Sequence, residues 1–450
     1  MRISRFKYNG GASPSLTGET VLIQGLPANN DHTSGRLIIG PDNKLYYTCG
    51  DLGANQFANR CSQIRSQTLP TDAEVSSANY TNYSGKVLRL NMDGSIPSDN
   101  SLWNGVRSHI LTIGHRNPQG LVWQKFATNG TVYAEPVPGG KLFSSEHGPR
   151  TDDEINILQG GKNYGWPYIA GYLDNTNYEY VIWNSSPNCA STAYTEATIP
   201  AGATVKQEND TSIANFQPPL TTMFATCGSL PATYCNADGT DWMKFATIAP
   251  SSIDFYNVAT GLGIPNWYPS LLVPTLRKGT VYRYKLNATM DGVVTDSIPY
   301  FRSNNRYRDI ALSPDGKKIY LITDSIGSTS GPSGTGTSAL TDRGAIIEYT
   351  FTGRDMMAID DRIVTRPERK YRINVFPNPA SSFVNVQLER GLHKPVRYQL
   401  LTTSGKLVAE ATTNKDAFSI PVGHLAKGVY ILKLYNGYDI EVKLEKVLLQ

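Results

Sequence analysis

Short runs of alternating apolar and polar residues, separated by Gly, Pro and Asp, recur along most of this chain. One pattern is an apolar strand, a Pro/Asp/Gly turn, a lysine and a second apolar strand, found at residues 36–47 and 310–321 and more weakly at 137–143. A glycine followed by an apolar and basic strand is found at residues 85–90, 279–284 and 344–349. Such turns between alternating strands predict β-hairpins. Hairpins repeated over several hundred residues predict a β-propeller, with a long β-sandwich carrying inserts as the alternative.

The pattern changes after residue 349. Residues 354–372 are rich in charge and have no strand pattern, which predicts a linker. Residues 373–450 alternate again, with Ser-Gly and Lys-Gly turns between strands, and predict a small immunoglobulin-like β-sandwich. The predicted organisation is therefore an all-β chain with a propeller over residues 1–353, a linker over 354–372 and a sandwich over 373–450.

The composition agrees with a turn-rich β protein, since 40 Gly, 27 Pro and 26 Tyr accompany only 18% charged residues among 450. The net charge of +4 is small and no dense Lys/Arg run occurs, so nucleic acid is not a predicted partner. No apolar run has the length of a transmembrane segment. Five cysteines without a CxxC pair argue against structural zinc. Cys227 and Cys235 are close enough for a disulfide, and buried free thiols are an equal alternative for the other three.

Candidate chemistry concentrates in three motifs: GHRNPQG at 114–120, EHGPRTDDE at 146–154 and NYGWP at 163–167. An arginine, an amide and three carboxylates among Gly/Pro turns suit a site that holds an anionic, carbonyl-bearing cofactor beside a hard cation. Two further candidates are His32 in DHTSGR and Asp51 in GDLG, nineteen residues later. An imidazole held in one tautomer by a carboxylate suits a proton acceptor. Solvated loop residues are the alternative for this pair, and a blade-closing arginine is the alternative for Arg116.

These motifs resemble those of the soluble pyrroloquinoline-quinone (PQQ) glucose dehydrogenases and the wider glucose/sorbosone dehydrogenase family, from Met1 to about residue 353. The resemblance implies a six-bladed propeller that uses PQQ and Ca²⁺ to oxidise an aldose at its anomeric carbon to the lactone, with an external electron acceptor. It implies that His32 is the catalytic base, Asp51 orients it and Arg116 stabilises developing negative charge. The other residues that match the PQQ pocket are Asn117, Asp153, Trp242, Phe245, Arg277, Arg306 and Arg308.

The resemblance also implies calcium ligands. Gly148 and Pro149 match positions whose main-chain carbonyls bind the cofactor's Ca²⁺. The spacing of a further calcium site differs from the family's by one residue, because Lys162 is inserted in the turn. The residues that match this second site are Glu154, Tyr164, Ala170, Tyr172 and Asp174. This chain departs from the family pattern at four positions. Arg277 stands where the family has a lysine, His147 where it has a glutamine, and Trp242 and Phe245 replace its aromatic pair. These departures affect the prediction of the substrate more than that of the cofactor.

The C-terminal segment resembles the sorting domains of the type IX secretion system of Bacteroidetes, through FPNP at 376–379, the Ser-Gly-Lys turn at 404–406 and LAKGVY at 425–430. This resemblance implies export to the cell surface or medium, with the secretion machinery as a partner; a carbohydrate-binding module is the alternative. The first residues lack the apolar region of a signal peptide, and the family resemblance begins inside the propeller. We therefore expect a chain that has lost its N-terminal part.

Two other functions are open to a propeller. A non-catalytic binder of a glycan or protein does not need a base, an oxyanion clamp and carboxylate-binding arginines together. A lactone-hydrolysing propeller would carry metal-binding carboxylates on several blades, whereas the acids here cluster in one segment. The sequence therefore favours the dehydrogenase.

Overall fold

The computed structural model describes residues 1–128, 130–175, 178–195, 198–223, 247–259, 262–294, 297–325, 340–353, 373–388, 394–402, 406–435 and 441–450. The chain divides into two compact units, Met1–Gly353 and Arg354–Gln450. Regular structure in the described residues is almost entirely β-strand, with one short α-helix, α1 (Asp72–Ser76), capped by the Thr71 side chain. No helix in these ranges is long and apolar enough to cross a membrane.

The strands of the first unit are short and separated by turns. Up to residue 123 they are β1 (Arg2–Asn9), β2 (Ser15–Gln24), β3 (Ser34–Ile39), β4 (Lys44–Cys49), β5 (Lys86–Asn91), β6 (Leu102–Trp103), β7 (Val106–Arg107), β8 (Ile110–Ile113) and β9 (Pro118–Trp123). The later strands are β10 (Leu142–Glu146), β11 (Asp153–Leu158), β12 (Tyr180–Ile182), β13 (Thr204–Lys206), β14 (Thr221–Met223), β15 (Asp254–Tyr256), β16 (Ser270–Pro274), β17 (Val281–Lys285), β18 (Ile298–Tyr300), β19 (Tyr307–Leu312), β20 (Lys318–Thr323) and β21 (Ile346–Thr350).

Four antiparallel sheets follow one another along this unit. Their strand orders are β3-β4-β5-β8, β9-β10-β11-β14, β15-β16-β17-β18 and β19-β20-β21. The first strand of each sheet contacts the first strand of the next, β3 with β9, β9 with β15 and β15 with β19. Each sheet is thus a blade whose first strand lies innermost, and the predicted β-propeller is confirmed. The strand-turn-strand patterns at residues 36–47 and 310–321 form the hairpins β3–β4 and β19–β20.

Burial differs from strand to strand within the blades. Every residue of β10 and of β16 is buried, as expected for sheets covered on both faces. In β3 and β21 exposure alternates, so that Leu37 and Ile39 are 43% and 54% exposed. Within the first blade β4 and β5 are almost wholly buried, so the alternation belongs to the individual strands β3 and β21. These two show the period of two that a half-covered strand requires.

Arg36, on β3 of the first blade, forms hydrogen bonds to the other three blades. Its Nε donates to the main-chain oxygen of Gln119 on β9 at 3.1 Å, and its Nη2 donates to Ser252 Oγ ahead of β15 at 2.9 Å. Its Nη1 lies 2.9 Å from Asp309 Oδ2 on β19. Burial raises the pKa of Asp309, but the hydrogen bond and charge of Arg36 outweigh it and leave that pKa below its ordinary value. Arg36 therefore joins the first blade to the second, third and fourth blades.

A disulfide joins Cys61 to Cys189, 128 residues apart in sequence. The free-thiol alternative is thus wrong for these two cysteines and correct for Cys49, which is buried and unbonded. Cys227 and Cys235 lie outside the described residues. Local spacing could not reveal the bond, because it depends on the tertiary approach of two distant segments.

We expect a variant with both Cys61→Ser and Cys189→Ser to lose about 2–5 kcal/mol of unfolding free energy, because the bond closes a long loop in the unfolded chain. Guanidinium-induced unfolding followed by fluorescence measures this loss. Cys49→Ala, which removes a buried thiol without cutting a cross-link, is the control. An unfolding midpoint that does not change in the double variant would contradict the prediction.

The second unit contains β22 (Asn374–Phe376), β23 (Phe383–Gln387), β24 (Val396–Thr402), β25 (Leu407–Thr413), β26 (Ala417–Pro421), β27 (Gly428–Tyr435) and β28 (Glu441–Leu449). They form two sheets, β22-β23-β26 and β25-β24-β27-β28. Val384 and Ile420 of the first sheet share a core with Leu400 and Leu432 of the second. The predicted sandwich is confirmed. The predicted linker and the Ser-Gly part of the predicted turn at 404–406 lie outside the described residues.

Candidate active site

His32 and Asp51 meet at one end of the first blade. His32 precedes β3 and Asp51 follows β4, and the antiparallel pairing of these strands brings the two residues together. Nδ1 of His32 lies 2.7 Å from Oδ1 of Asp51, and the two side chains are 9% and 1% exposed. An ionised carboxylate can only accept a hydrogen bond, so Nδ1 carries the proton and Nε2 keeps its lone pair. The dyad therefore presents a basic nitrogen.

The backbone that presents His32 is strained and needs a glycine opposite it. His32 and Ser34 have φ angles of 45° and 57°, a region that side-chain-bearing residues seldom adopt. A Cβ added to Gly50 would lie 1.9 Å from the main-chain oxygen of His32. Strained residues persist where the surrounding structure holds them, and they concentrate at functional sites. The first glycine of the GDLG motif is thus required by close packing against the histidine turn.

Gln56 connects the dyad to Arg116. Its Nε2 donates to Asp31 Oδ2 at 3.0 Å and faces Nε2 of His32 at 3.2 Å, while its Oε1 accepts from Nη2 of Arg116 at 3.0 Å. The contact with His32 agrees with a lone pair on Nε2, since the glutamine amide is the donor. Sequence reasoning missed Gln56, although it lies five residues after Asp51 on the same connection.

Trp166, in the NYGWP motif, supports both halves of this network. Its Nε1 donates to Oδ2 of Asp51 at 2.9 Å. The guanidinium carbon of Arg116 lies 5.3 Å from the centre of the indole ring, within the range of a cation–π contact. Trp166 therefore contacts both the carboxylate of Asp51 and the guanidinium of Arg116. The sequence singled out its motif but assigned the tryptophan no role.

Arg116 and Asn117 lie on the connection between the first and second blades. Glu146, the last residue of β10, accepts a hydrogen bond from the main-chain N–H of each, at 3.2 Å for Asn117. Its other oxygen lies 2.8 Å from Nδ1 of the fully buried His115. Nη1 of Arg116 donates to the main-chain oxygen of Gly148 at 2.8 Å. The arginine and amide are therefore held through their main-chain N–H groups by the Glu146 carboxylate, and Arg116 also through its side chain.

Gly148 and Asp153 build a tight turn between β10 and β11. The main-chain N–H of Gly148 donates to Asp153 Oδ1 at 2.8 Å, and Asp153 also accepts from the Thr247 hydroxyl and the Ala249 N–H. Burial raises the pKa of Asp153, and these N–H bonds partly offset it. A Cβ at Gly148 would lie 1.9 Å from the main-chain oxygen of Thr151, so no other residue fits. The acid and glycine of this motif together shape the turn.

Carboxylates gather beside this turn. Burial raises the pKa of Asp152 to about 7, with repulsion from Asp174 and Glu208 adding to the shift. Burial also raises the pKa of Glu154 to about 8, with repulsion from Glu146 adding to it. Acids that repel each other's ionised forms are stabilised as carboxylates by a bound cation.

Main-chain groups line the same region. Glu208, which sequence reasoning missed, accepts from the N–H groups of Ala170 and Asn175 at 3.1 and 2.7 Å. Burial and then the charges of Glu154 and Asp152 raise the pKa of Tyr172, which places its ring near these acids. The Tyr164 hydroxyl instead bonds main-chain groups of β11 and the loop after it. Within the described ranges no three His, Cys, Asp or Glu side chains are placed to hold a metal, so calcium here would need main-chain oxygens as well.

Three predicted arginines come from the third and fourth blades. Arg277 and Arg306 are 3% and 4% exposed. Arg306 and Arg308 share the carboxylate of Asp324, with Nε–O distances of 2.9 and 2.8 Å. Two guanidiniums on one carboxylate leave an excess of positive charge, which suits an anionic ligand. Trp242 and Phe245, predicted beside the same ligand, lie outside the described residues.

His147 shows that these charges converge. Burial lowers its pKa well below the ordinary value, and repulsion of its protonated form by His32 when that ring is protonated, and by Arg116 and Arg308, lowers it further. Residues of the first blade, of the fourth blade and of the connection between the first and second blades therefore all affect the pKa of His147. The predicted catalytic trio and the predicted carboxylate-binding Arg308 lie in one region of the first unit.

Residues 1–217 and 237–330 match the profile of the family described as Glucose / Sorbosone dehydrogenase. The chain is 41% identical over 358 residues to quinoprotein glucose dehydrogenase B of Acinetobacter calcoaceticus, which covers 78% of this chain and 71% of that protein. This chain belongs to the glucose/sorbosone dehydrogenase family.

Two further proteins are similar to this chain at lower identity. Aldose sugar dehydrogenase YliI of Escherichia coli is 24% identical over 299 residues, covering 66% of this chain and 58% of that one. Among solved structures, the PQQ-bound aldose sugar dehydrogenase of Streptomyces coelicolor has 23% identity and a TM-score of 0.44, over 77% of this chain and 71% of that one. Residues 374–450 match the profile described as Secretion system C-terminal sorting domain. Both resemblances inferred from the sequence are confirmed.

Proposed function

We propose that this member of the glucose/sorbosone dehydrogenase family is a PQQ- and calcium-dependent enzyme that oxidises an aldose at the anomeric carbon to its lactone. One observation carries the proposal: hydrogen bonds run without a break from Asp51 through His32 and Gln56 to Arg116. A base and a permanent cation side by side are what removal of a hydroxyl proton and stabilisation of new negative charge require. The aldose substrate class is supported by the names of the relatives.

The roles follow from the hydrogen bonds. Nε2 of His32 takes the proton of the anomeric hydroxyl, because Asp51 keeps Nδ1 protonated and stabilises the imidazolium that forms. PQQ, when bound, supplies the electrophilic carbonyl that accepts the hydride. Arg116 and the amide of Asn117 would donate to a cofactor oxygen on which negative charge develops.

The donor set fits PQQ. PQQ is a polyanion, and Arg306 and Arg308 share one carboxylate. Arg277 is buried in the third blade, where the main-chain oxygen of Thr275 accepts from the N–H of Tyr307. Arg306 and Arg308 would bind cofactor carboxylates in parallel with Asp324. We assign Arg277 to the same pocket. The predicted aromatic neighbours Trp242 and Phe245 stay part of the proposal.

The calcium ligands are also proposals. The main-chain oxygens of Gly148 and Pro149 would hold the cofactor's Ca²⁺, with Asp153 maintaining their turn. Because Gly148 O already accepts from Arg116, the cation would share that oxygen with the guanidinium or displace it. A second Ca²⁺ would bind Glu154, Tyr164, Ala170, Tyr172 and Asp174, to which the structure adds Glu208.

We further propose that the enzyme is exported through the type IX secretion system to the cell surface or medium and passes electrons to an external acceptor there. The match of residues 374–450 to a sorting domain supports this route. The separate core of that unit, formed by Val384, Leu400 and Leu432 among others, supports a tail that folds as its own unit.

Cofactor binding tests the proposed function directly. We expect the full-length protein to bind PQQ in the presence of Ca²⁺ in a fluorescence titration, and the complex to reduce a redox dye when glucose is added. Arg306→Ala should weaken PQQ binding roughly 10–100-fold, because a charge-assisted contact with a carboxylate contributes about 1.5–3 kcal/mol. The rate at saturating PQQ should change little, since this arginine is assigned to a carboxylate of the cofactor.

Arg302→Ala is the matched control, because Arg302 is exposed and lies four residues before Arg306. It should bind PQQ like the wild type. Failure of the wild-type chain to bind PQQ with Ca²⁺ present would contradict the proposed function and favour a propeller that binds a glycan or protein.

A further inference from the structure

His147 makes two hydrogen bonds that determine its tautomer. Its Nε2 lies 2.9 Å from the main-chain oxygen of Pro250, and its Nδ1 lies 3.3 Å from Nδ2 of Asn117. A carbonyl oxygen only accepts, so Nε2 must carry the proton of the neutral ring. Nδ1 is then an acceptor, and the group of Asn117 that faces it must be the NH₂.

The other partners of Asn117 cannot determine its orientation. Oδ1 of Asn117 accepts from Ser34 Oγ at 3.0 Å and from Gln119 Nε2 at 2.8 Å. A hydroxyl can reverse its role, and a glutamine amide can turn over to present its oxygen. His147 cannot reverse its role without losing the bond to Pro250. Among these three partners, His147 is therefore the one that sets which way the Asn117 amide points.

We propose that His147 is a positioning residue that orients the Asn117 amide and so determines which hydrogen-bond donor the site offers to a bound cofactor. This inference rests on the proposed function, in which the amide of Asn117 donates to the reacting oxygen. One N–H of Asn117 is used by His147, and the second stays free for that bond. The network runs from Pro250 in the third blade through His147 in the second to Ser34 in the first, so it also couples three blades.

The test compares His147→Gln with His147→Phe in the full chain. Glutamine can accept from Asn117 through Oε1 and donate to Pro250 through Nε2, whereas phenylalanine keeps a ring but loses both bonds. We expect His147→Phe to raise the dissociation constant of PQQ about tenfold, the effect of losing one hydrogen bond to the cofactor. His147→Gln should stay near the wild-type value. His109→Gln, at a buried histidine bonded to Gly94 O in the first blade, is the control.

A double-mutant cycle separates positioning from general damage. If His147 acts through Asn117, the tenfold effect of His147→Phe should vanish when Asn117 is already alanine. Crystal structures should show the Asn117 amide in one orientation in the wild type and in His147→Gln, and turned or disordered in His147→Phe. Thermal unfolding checks that each variant is folded, and His147→Leu replaces His147→Phe if the latter does not fold.

Two outcomes would overturn the inference: equal PQQ affinity in His147→Phe and wild type, or an effect of His147→Phe that persists unchanged in the Asn117→Ala background. The proposed function can fail separately, if the wild type binds no PQQ. In that case the orientation of Asn117 in the crystal structures of wild type and His147→Phe still decides whether His147 positions it.

Discussion

Replacing His32 with alanine is expected to lower the rate of sugar oxidation by roughly 10²–10⁴-fold, while PQQ binding changes little. The loss follows from removing the lone pair on Nε2, which the Nδ1–Asp51 bond of 2.7 Å makes available. Steady-state dye reduction by the PQQ-loaded full chain measures the rate, and a fluorescence titration of the apo chain measures the binding.

Asp51→Asn extends the test to the tautomer. An asparagine can donate to Nδ1 and so favour the tautomer with its proton on Nε2, which should lower the rate to a similar extent without removing the imidazole. His424→Ala, at an exposed histidine of the second unit, is the control and should be fully active. A His32→Ala enzyme with the wild-type rate would rule out His32 as the base.

Arg116→Lys is expected to lower kcat by roughly 10²–10³-fold, the effect of losing one donor to an oxyanion. Lysine keeps the charge but has a single nitrogen, so it cannot contact both Gly148 O and Gln56 Oε1 as the guanidinium does. Because the interaction strengthens as charge develops, kcat should fall much more than the sugar's KM rises. Steady-state kinetics at saturating PQQ give both constants.

The matched control is Arg107→Lys, the same exchange at an exposed arginine on β7. It should leave both kinetic constants unchanged. If Arg116→Lys also kept the wild-type kcat, the guanidinium would have no part in stabilising charge, and the blade-closing alternative for this arginine would be favoured.

Local patterns explain why so much of the fold was predictable. The β3–β4 and β19–β20 hairpins were visible because a Pro/Asp/Gly turn and an alternating strand are each encoded within about ten residues. The sandwich of the second unit followed from the same signals, through the alternation of strands such as β27. Fully buried strands such as β10 and β16 have no alternation to reveal them, since alternation reports one covered face.

The residues of the candidate site were likewise predictable only in part. His32, Asp51 and Arg116 were predictable as residues because their motifs are short and match a family, and the structure connects them. Gln56 and Trp166 were missed because a glutamine or a tryptophan outside a motif's reactive positions has no chemical signature of its own. Glu208 was missed because its partners Ala170 and Asn175 lie more than thirty residues away.

The sequence by itself determined the strands, the turns, the two units and the types of residue available for catalysis, because each depends on neighbours along the chain. The tertiary structure alone decided the Cys61–Cys189 bond, the Arg36–Asp309 pair and the tautomer of His147. These contacts depend on how one blade stacks on the next, and they join residues about a hundred to nearly three hundred positions apart. No local periodicity carries that information, since a strand's pattern records that one of its faces is covered and not which residues cover it.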